Sequence, residues 1–222
     1  MALTRPVKAV IFDMDGLLID SQSVACEALT AQAAAMGYEL PPEILKGMIG
    51  HTWAVNDHVL LGHFGAAFDT HAMQVGATAR FYELAAAGIA LKAGVLELLD
   101  HLDEVAMSRA IATSSRVQDV EHHLGRHGLV GRFQSVVGQG DYTQGKPAPD
   151  PYLAAAKALG VAPTDCLALE DSHSGVRSAA AAGMMTIMVP DLLDPTEEMR
   201  SLCVAIAADL FEVREMLRGQ LA

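Results

Sequence analysis

The sequence predicts an α/β fold: a doubly wound parallel sheet interrupted by an inserted block of helices. Short apolar runs recur along the chain, segments of helical length separate them, and one long early stretch carries helical patterns with no strand between them. The first run, Val7-Lys8-Ala9-Val10-Ile11-Phe12, has the composition of a buried parallel strand and ends in the turn Asp13-Met14-Asp15-Gly16. From Ser21 to about Gly88 the segments are helical: Ser21 to Met36, Pro42 to Ile49, Thr52 to Phe64 and Asp69 to Ala87. A helical block of that size is too large for a crossover and reads as a subdomain. Strand runs then return at Arg109 to Thr113, Phe133 to Val137, Cys166 to Leu169 and Met185 to Val189. Helices are expected between them at Val117 to His127, Pro151 to Leu159 and Gly175 to Ala182, several of them closed by Gly. The expected division is a core of residues 1–16 and 91–222, with residues 17–90 inserted.

Composition narrows the function classes. The chain has 222 residues, 51% of them hydrophobic and 19% charged, enough to bury a sizeable core. Fifteen Lys and Arg against twenty-seven Asp and Glu give a formal charge of −12, which repels a polyanion, so nucleic acid is not an expected partner. No apolar run reaches the roughly 18 residues of a membrane span. Cys26, Cys166 and Cys203 share no metal-ligand spacing and read as buried or free thiols in a reducing compartment. The apolar run after Lys8 is too short for a secretory signal core, and a cytoplasmic location is expected. A monomer is expected.

In an open α/β sheet, ligands bind beyond the carboxyl ends of the strands. The residues there are Asp13 and Asp15 after the first strand, Thr113, Ser114 and Ser115 after the second, Lys146 in the loop after the third, and Glu170 and Asp171 after the fourth. Four carboxylates, a hydroxyl cluster and one lysine would meet in one crevice, a set suited to phosphoryl transfer. Crowded carboxylates call for a hard cation, and oxygen ligands suit Mg²⁺, with Asp13 and Asp171 as proposed ligands. A carboxylate can also attack phosphorus and form an aspartyl-phosphate, while Thr113 and Lys146 hold the transferring oxygens. Asp15 is placed to protonate a departing alkoxide and later to deprotonate the attacking water, which favours an ester over a carbon–halogen substrate.

Val10-Ile11-Phe12 running into Asp13-Met14-Asp15-Gly16, then Ala112-Thr113-Ser114-Ser115, Gly145-Lys146-Pro147-Ala148-Pro149-Asp150, and Leu169-Glu170-Asp171-Ser172 with Gly175 resemble the four ordered motifs of the haloacid dehalogenase superfamily. The resemblance covers essentially the whole chain. It implies a Rossmann-like core whose helical insertion, residues 17–90, is a small mobile cap that closes over the site and chooses the substrate. It implies Asp13 as nucleophile, Asp15 as acid and base, and Thr113 and Lys146 on the phosphoryl group. Mg²⁺ would be held by the Asp13 side chain, the Asp15 carbonyl and Asp171, with Glu170 as a further ligand or a carboxylate just behind. Gly16, Ser114 and Ser115 complete the expected phosphate contacts, and His51 and Thr52, after Gly50 in the cap loop, are the expected substrate-facing residues. The implied activity is hydrolysis of a small phosphorylated metabolite such as a sugar phosphate.

Relatives with this cap often carry Asp-Ser-Glu after the first motif and an Arg after the cap glycine. Here Gln22 follows Asp20-Ser21 and His51 follows Gly50. Ala25 stands where the β-phosphoglucomutase branch has a hinge His, which favours a phosphatase over a sugar phosphomutase. A phospho-acceptor switch like the response-regulator receivers is the rival of another class, but those domains are shorter and have no cap.

Other readings of the same residues carry less. Gly140 to Lys146 fits most of a nucleotide P-loop, but Pro147 stands where a Ser or Thr should meet Mg²⁺. Ser115 could cap the helix from Val117. His122, His123 and His127 on one expected helix, with His58 and His63 on another, lack carboxylate partners and read as solvated faces. Trp53 suits cap core as well as a substrate wall.

Overall fold

The computed structural model describes residues 3, 5–49 and 53–221, with side chains described to residue 219. Six strands form one sheet: β1 (Ala9–Phe12), β2 (Ser108–Ala112), β3 (Ser135–Val137), β4 (Cys166–Glu170), β5 (Met185–Met188) and β6 (Ala205–Ile206). Their order is β3-β2-β1-β4-β5-β6 and every pairing is parallel. The chain is therefore a doubly wound α/β protein, and its strands are apolar because both faces of the sheet are covered. Ala9, Val10, Ile11 and Phe12 of the central β1 are all fully buried.

The helices are α1 (Ser21–Ala35), α2 (Pro42–Met48), α3 (Trp53–Phe64), α4 (Thr70–Ala85), α5 (Val95–Glu104), α6 (Val117–Gly125), α7 (Asp150–Leu159), α8 (His173–Ala181), α9 (Glu197–Leu202) and α10 (Leu210–Leu221). The strand and helix patterns above do not include α5, α9, α10 or β6. Val95, Leu98, Leu99 and Leu102 carry the helical period of α5 in the sequence and are all buried. The third strand begins at Ser135 rather than Phe133, since a short 3₁₀ turn over Val130–Arg132 delivers the chain to it.

Two compact units are present, Met1–Ile19 with Leu91–Ala222, and Asp20–Ala90. The first has the sheet at its centre. On one face Ile11, Ala110, Ala112, Tyr152, Ala155, Ala168 and Ala179 form a single buried cluster, and the small residues let α7 and α8 lie close to the strands. The second unit consists of α1 to α4, with α1 lying along α4 and a core of Ala33, Leu40, Met48, Leu60, Phe68 and Met73. Trp53 packs against this core.

Candidate active site

The first-strand aspartates are placed by the sheet itself. Asp13 lies one residue beyond β1, where its backbone N–H donates to the Leu169 carbonyl at 3.0 Å and so continues the ladder to β4. Gly16 then takes a φ of 82°, a left-handed turn that a side chain would strain. Its N–H donates to the Ile19 carbonyl at 2.9 Å, which brings the chain back tightly. Thr113 continues β2 in the same way, its N–H donating to the Val137 carbonyl at 3.0 Å. The ends of three adjacent strands thus deliver Asp13, Thr113, Glu170 and Asp171 to one edge of the sheet.

Asp13, Lys146, Glu170 and Asp171 form one buried group. The Lys146 ammonium donates to Asp13 Oδ1 and, at 2.5 Å, to Glu170 Oε1. Glu170 is fully buried; its Oε1 also accepts the Tyr152 hydroxyl at 2.9 Å, and its Oε2 accepts from Asp171 N and Ser172 N, both at 3.1 Å, and Ser172 Oγ at 3.0 Å. Burial pushes the Asp13 carboxyl up to about 8, with Glu170 and Asp15 adding to the effect and Lys146 opposing it. Burial likewise pushes Asp171 well above the usual carboxylate range, and Glu170 and Asp13 push it further. Burial would lower the Lys146 amine, but Asp13 and Glu170 outweigh it and hold the amine above its ordinary value.

Asp15 is engaged elsewhere. Its Oδ2 accepts the Ser115 hydroxyl at 2.7 Å and lies 3.5 Å from Thr113 Oγ1, which itself accepts from Ser115 N at 3.1 Å. Ser115 therefore does not cap the following helix, whose N-cap is Arg116. Ser114 is exposed and bonds Tyr142, whose hydroxyl also donates to the Thr113 carbonyl at 3.2 Å. His51 and Thr52 lie outside the described residues. His123 is buried, not on a solvated face, because it sits on the inner side of α6 beside Leu124; His58, His63, His122 and His127 are exposed as expected.

Among the described residues, the group of three or more side chains able to share a metal is Asp13, Glu170 and Asp171, with an oxygen from each within 4.8 Å of the others. These three carboxylates face the single Lys146 ammonium, an excess of negative charge that a divalent cation would offset, and oxygen-only donors suit Mg²⁺. The residues present therefore fit that ion. The Asp15 carboxylate is not in this set.

Two participants escape the sequence reading, Tyr152 and Asp191, and Ser172 stands in the fourth motif with no role assigned to it there. Asp191, past β5, pairs with Lys92 at 2.7 Å and adds to the negative field at Asp171. Tyr152 stands two residues after Asp150 of the third motif, a closeness that could have marked it.

The sequence matches the haloacid dehalogenase-like hydrolases over residues 10–189. It is 34% identical over 195 residues to a probable pseudouridine-5'-phosphatase of Drosophila melanogaster, covering 84% of this chain and 83% of that protein. It is 32% identical over 199 residues to the plasmid-borne protein CbbY of Cupriavidus necator, covering 83% and 78%. A crystal structure of a CbbY variant from Rhodobacter sphaeroides in complex with xylulose-1,5-bisphosphate superposes with a TM-score of 0.75 at 26% identity, over 93% of this chain and 96% of the other.

Proposed function

Because this chain belongs to the haloacid dehalogenase-like hydrolases and is a phosphatase of phosphorylated metabolites, we propose that it hydrolyses a small phosphomonoester, a sugar phosphate or a close analogue, through an aspartyl-phosphate on Asp13. The observation that carries this reading is the division of labour between two aspartates two residues apart. Asp13 is held against Lys146 within the buried carboxylate group, while Asp15 is held by Ser115 outside it.

Asp13 attacks phosphorus, the bond to the ester oxygen breaks, and Asp15 gives its proton to the departing alkoxide. Asp15, now ionised, takes a proton from a water that attacks the aspartyl-phosphate, so that phosphate leaves and Asp13 is restored. The Lys146 ammonium offsets the charge that builds on the transferring oxygens, and the Thr113 hydroxyl holds one of them. Mg²⁺ would be held by the Asp13 carboxylate, the Asp15 carbonyl and Asp171, with Glu170 as a fourth ligand or behind them, and when bound supplies charge neutralisation at the phosphoryl group. Ser115 fixes the Asp15 carboxylate that moves the proton, and Gly16, Ser114 and Ser115 offer phosphate contacts. Residues 17–90 act as the cap that selects the substrate, through His51 and Thr52. A cytoplasmic monomer belongs to the same proposal.

The related proteins supply the first substrates to try: a pentulose bisphosphate, a nucleoside 5'-phosphate and simple sugar phosphates. Inorganic phosphate release is measured on this panel with Mg²⁺ and with chelator. Metal-dependent release on one or a few compounds is expected. Isomerisation outpacing release would reassign the protein as a phosphomutase, and a persistent phosphate on Asp13 without turnover would make it a switch.

A further inference from the structure

The mechanism gives no role to a tyrosine that touches its buried carboxylate group. Tyr152, on α7, is fully buried among the alanines that line the sheet, and its ring lies 5.2 Å from the Lys146 ammonium. Its hydroxyl donates at 2.9 Å to Glu170 Oε1, the same oxygen that accepts Lys146 at 2.5 Å. The other Glu170 oxygen takes three donors from Asp171 and Ser172. Ser172 Oγ in turn accepts from Gly175 N at 3.1 Å. A Cβ at position 175 would stand 1.6 Å from Glu170 Oε1, so the carboxylate occupies space that only a glycine leaves open. The carboxylate is the end of a flexible side chain, but with five donors on its two oxygens it cannot swing aside without stranding several of them.

Resting on the hydrolase reading above, we propose that Tyr152 is a positioning residue for Lys146, acting through Glu170 in a seat that Gly175 keeps open. Glu170 draws the ammonium away from Asp13 and from the phosphoryl group; Tyr152 shares the oxygen that does so and weakens that pull. An acceptor with two donors holds each less tightly than it would hold one. With the O–H gone, Lys146 settles toward Glu170, and the charge that should meet the transition state stands too far from it.

Tyr152→Phe keeps the ring, its packing and its place beneath the ammonium, and removes only the O–H. Its kcat should fall by about tenfold or more with KM changed less than about threefold, on a protein whose Tm stays near that of the parent. Gly175→Ala, which displaces Glu170 by another route, should show the same kcat-selective loss. A thermal cycle reads the seat without turnover. In a Lys146→Met background the O–H is the lone side-chain donor from these two residues on Oε1, so Tyr152→Phe should lower Tm there by about 3 °C or more, against little change when made alone. Parental kcat in Tyr152→Phe, or equal Tm shifts in the two backgrounds, overturns the proposal. Silence of the parent protein across the substrate panel would instead overturn the hydrolase reading, with the thermal cycle still deciding the seat.

Discussion

A carboxylate that is both nucleophile and charge partner leaves little tolerance for substitution. On the proposed mechanism Asp13→Asn replaces the attacking oxygen by an amide that is a poor nucleophile and a poor metal ligand, so turnover should fall to roughly a thousandth or less. Retention of more than a few percent of kcat would remove Asp13 from its role. Asp15→Asn keeps the shape of the side chain and an oxygen that can accept the Ser115 hydroxyl, so Asp13, Lys146 and Glu170 should stay in place. Phosphate binding should be largely kept while kcat drops about a hundredfold or more, and an unchanged kcat would end the acid and base assignment. At this scale the motifs were legible because their residue types are rare in combination at strand ends. Tyr152 was not, because a tyrosine on an alanine-rich helix reads as core until the fold turns its hydroxyl toward Glu170.

The site depends on elements that were not all visible in the chain. The strand ends were, since β1, β2 and β4 are short, each carries an apolar run, and each leads into polar residues. Helix α10 was not, and its docking on α5 is set by a close approach rather than by a pattern. Gly94, which opens α5, has a φ of 84°, and a Cβ there would stand 2.5 Å from Phe211 N and 2.8 Å from the Leu210 carbonyl carbon. Backbone cannot swing aside as a side-chain tip can. Gly94→Ala should therefore destabilise the protein by about 2 to 4 kcal/mol, through left-handed strain together with the displaced helix start. A denaturation midpoint equal to that of the parent would show that α10 can shift at no cost. Strand β6 is two residues long, which leaves no period to read in the sequence; pairing with β5 alone defines it.

For the whole molecule, the buried carboxylates link stability to pH and to metal. Asp13, pushed up to about 8, and Asp171, raised well above the usual range, hold protons in the folded chain at a pH where the unfolded chain has lost them. Stability from such groups is fully present below the unfolded value near 4 and is lost as pH rises through the folded one. The metal-free protein should therefore lose Tm between about pH 5 and 8, and, with the ionised carboxylates as the proposed Mg²⁺ ligands, the stabilisation by added Mg²⁺ should grow across the same window. Thermal melts with chelator and with Mg²⁺ at each pH test this. An Mg²⁺ increment that is largest at pH 5 would contradict it. The overall charge of −12 acts in the same direction, since a bound cation relieves self-repulsion.

Taken alone, the sequence determined the parallel α/β class, the helical block between the first two strands, and the four clusters after the strands to which the proposed chemistry is assigned. These are local properties, written in periodicity, turn residues and the types that follow each strand. Only the tertiary structure decided which of those residues touch: that Lys146 joins Asp13 to Glu170, that Asp15 goes to Ser115 and not into the carboxylate group, and that Tyr152 and Gly175 build the seat around Glu170. Those pairings join residues up to 133 positions apart. Such contacts follow from strand order and helix packing, which no local pattern of residues encodes.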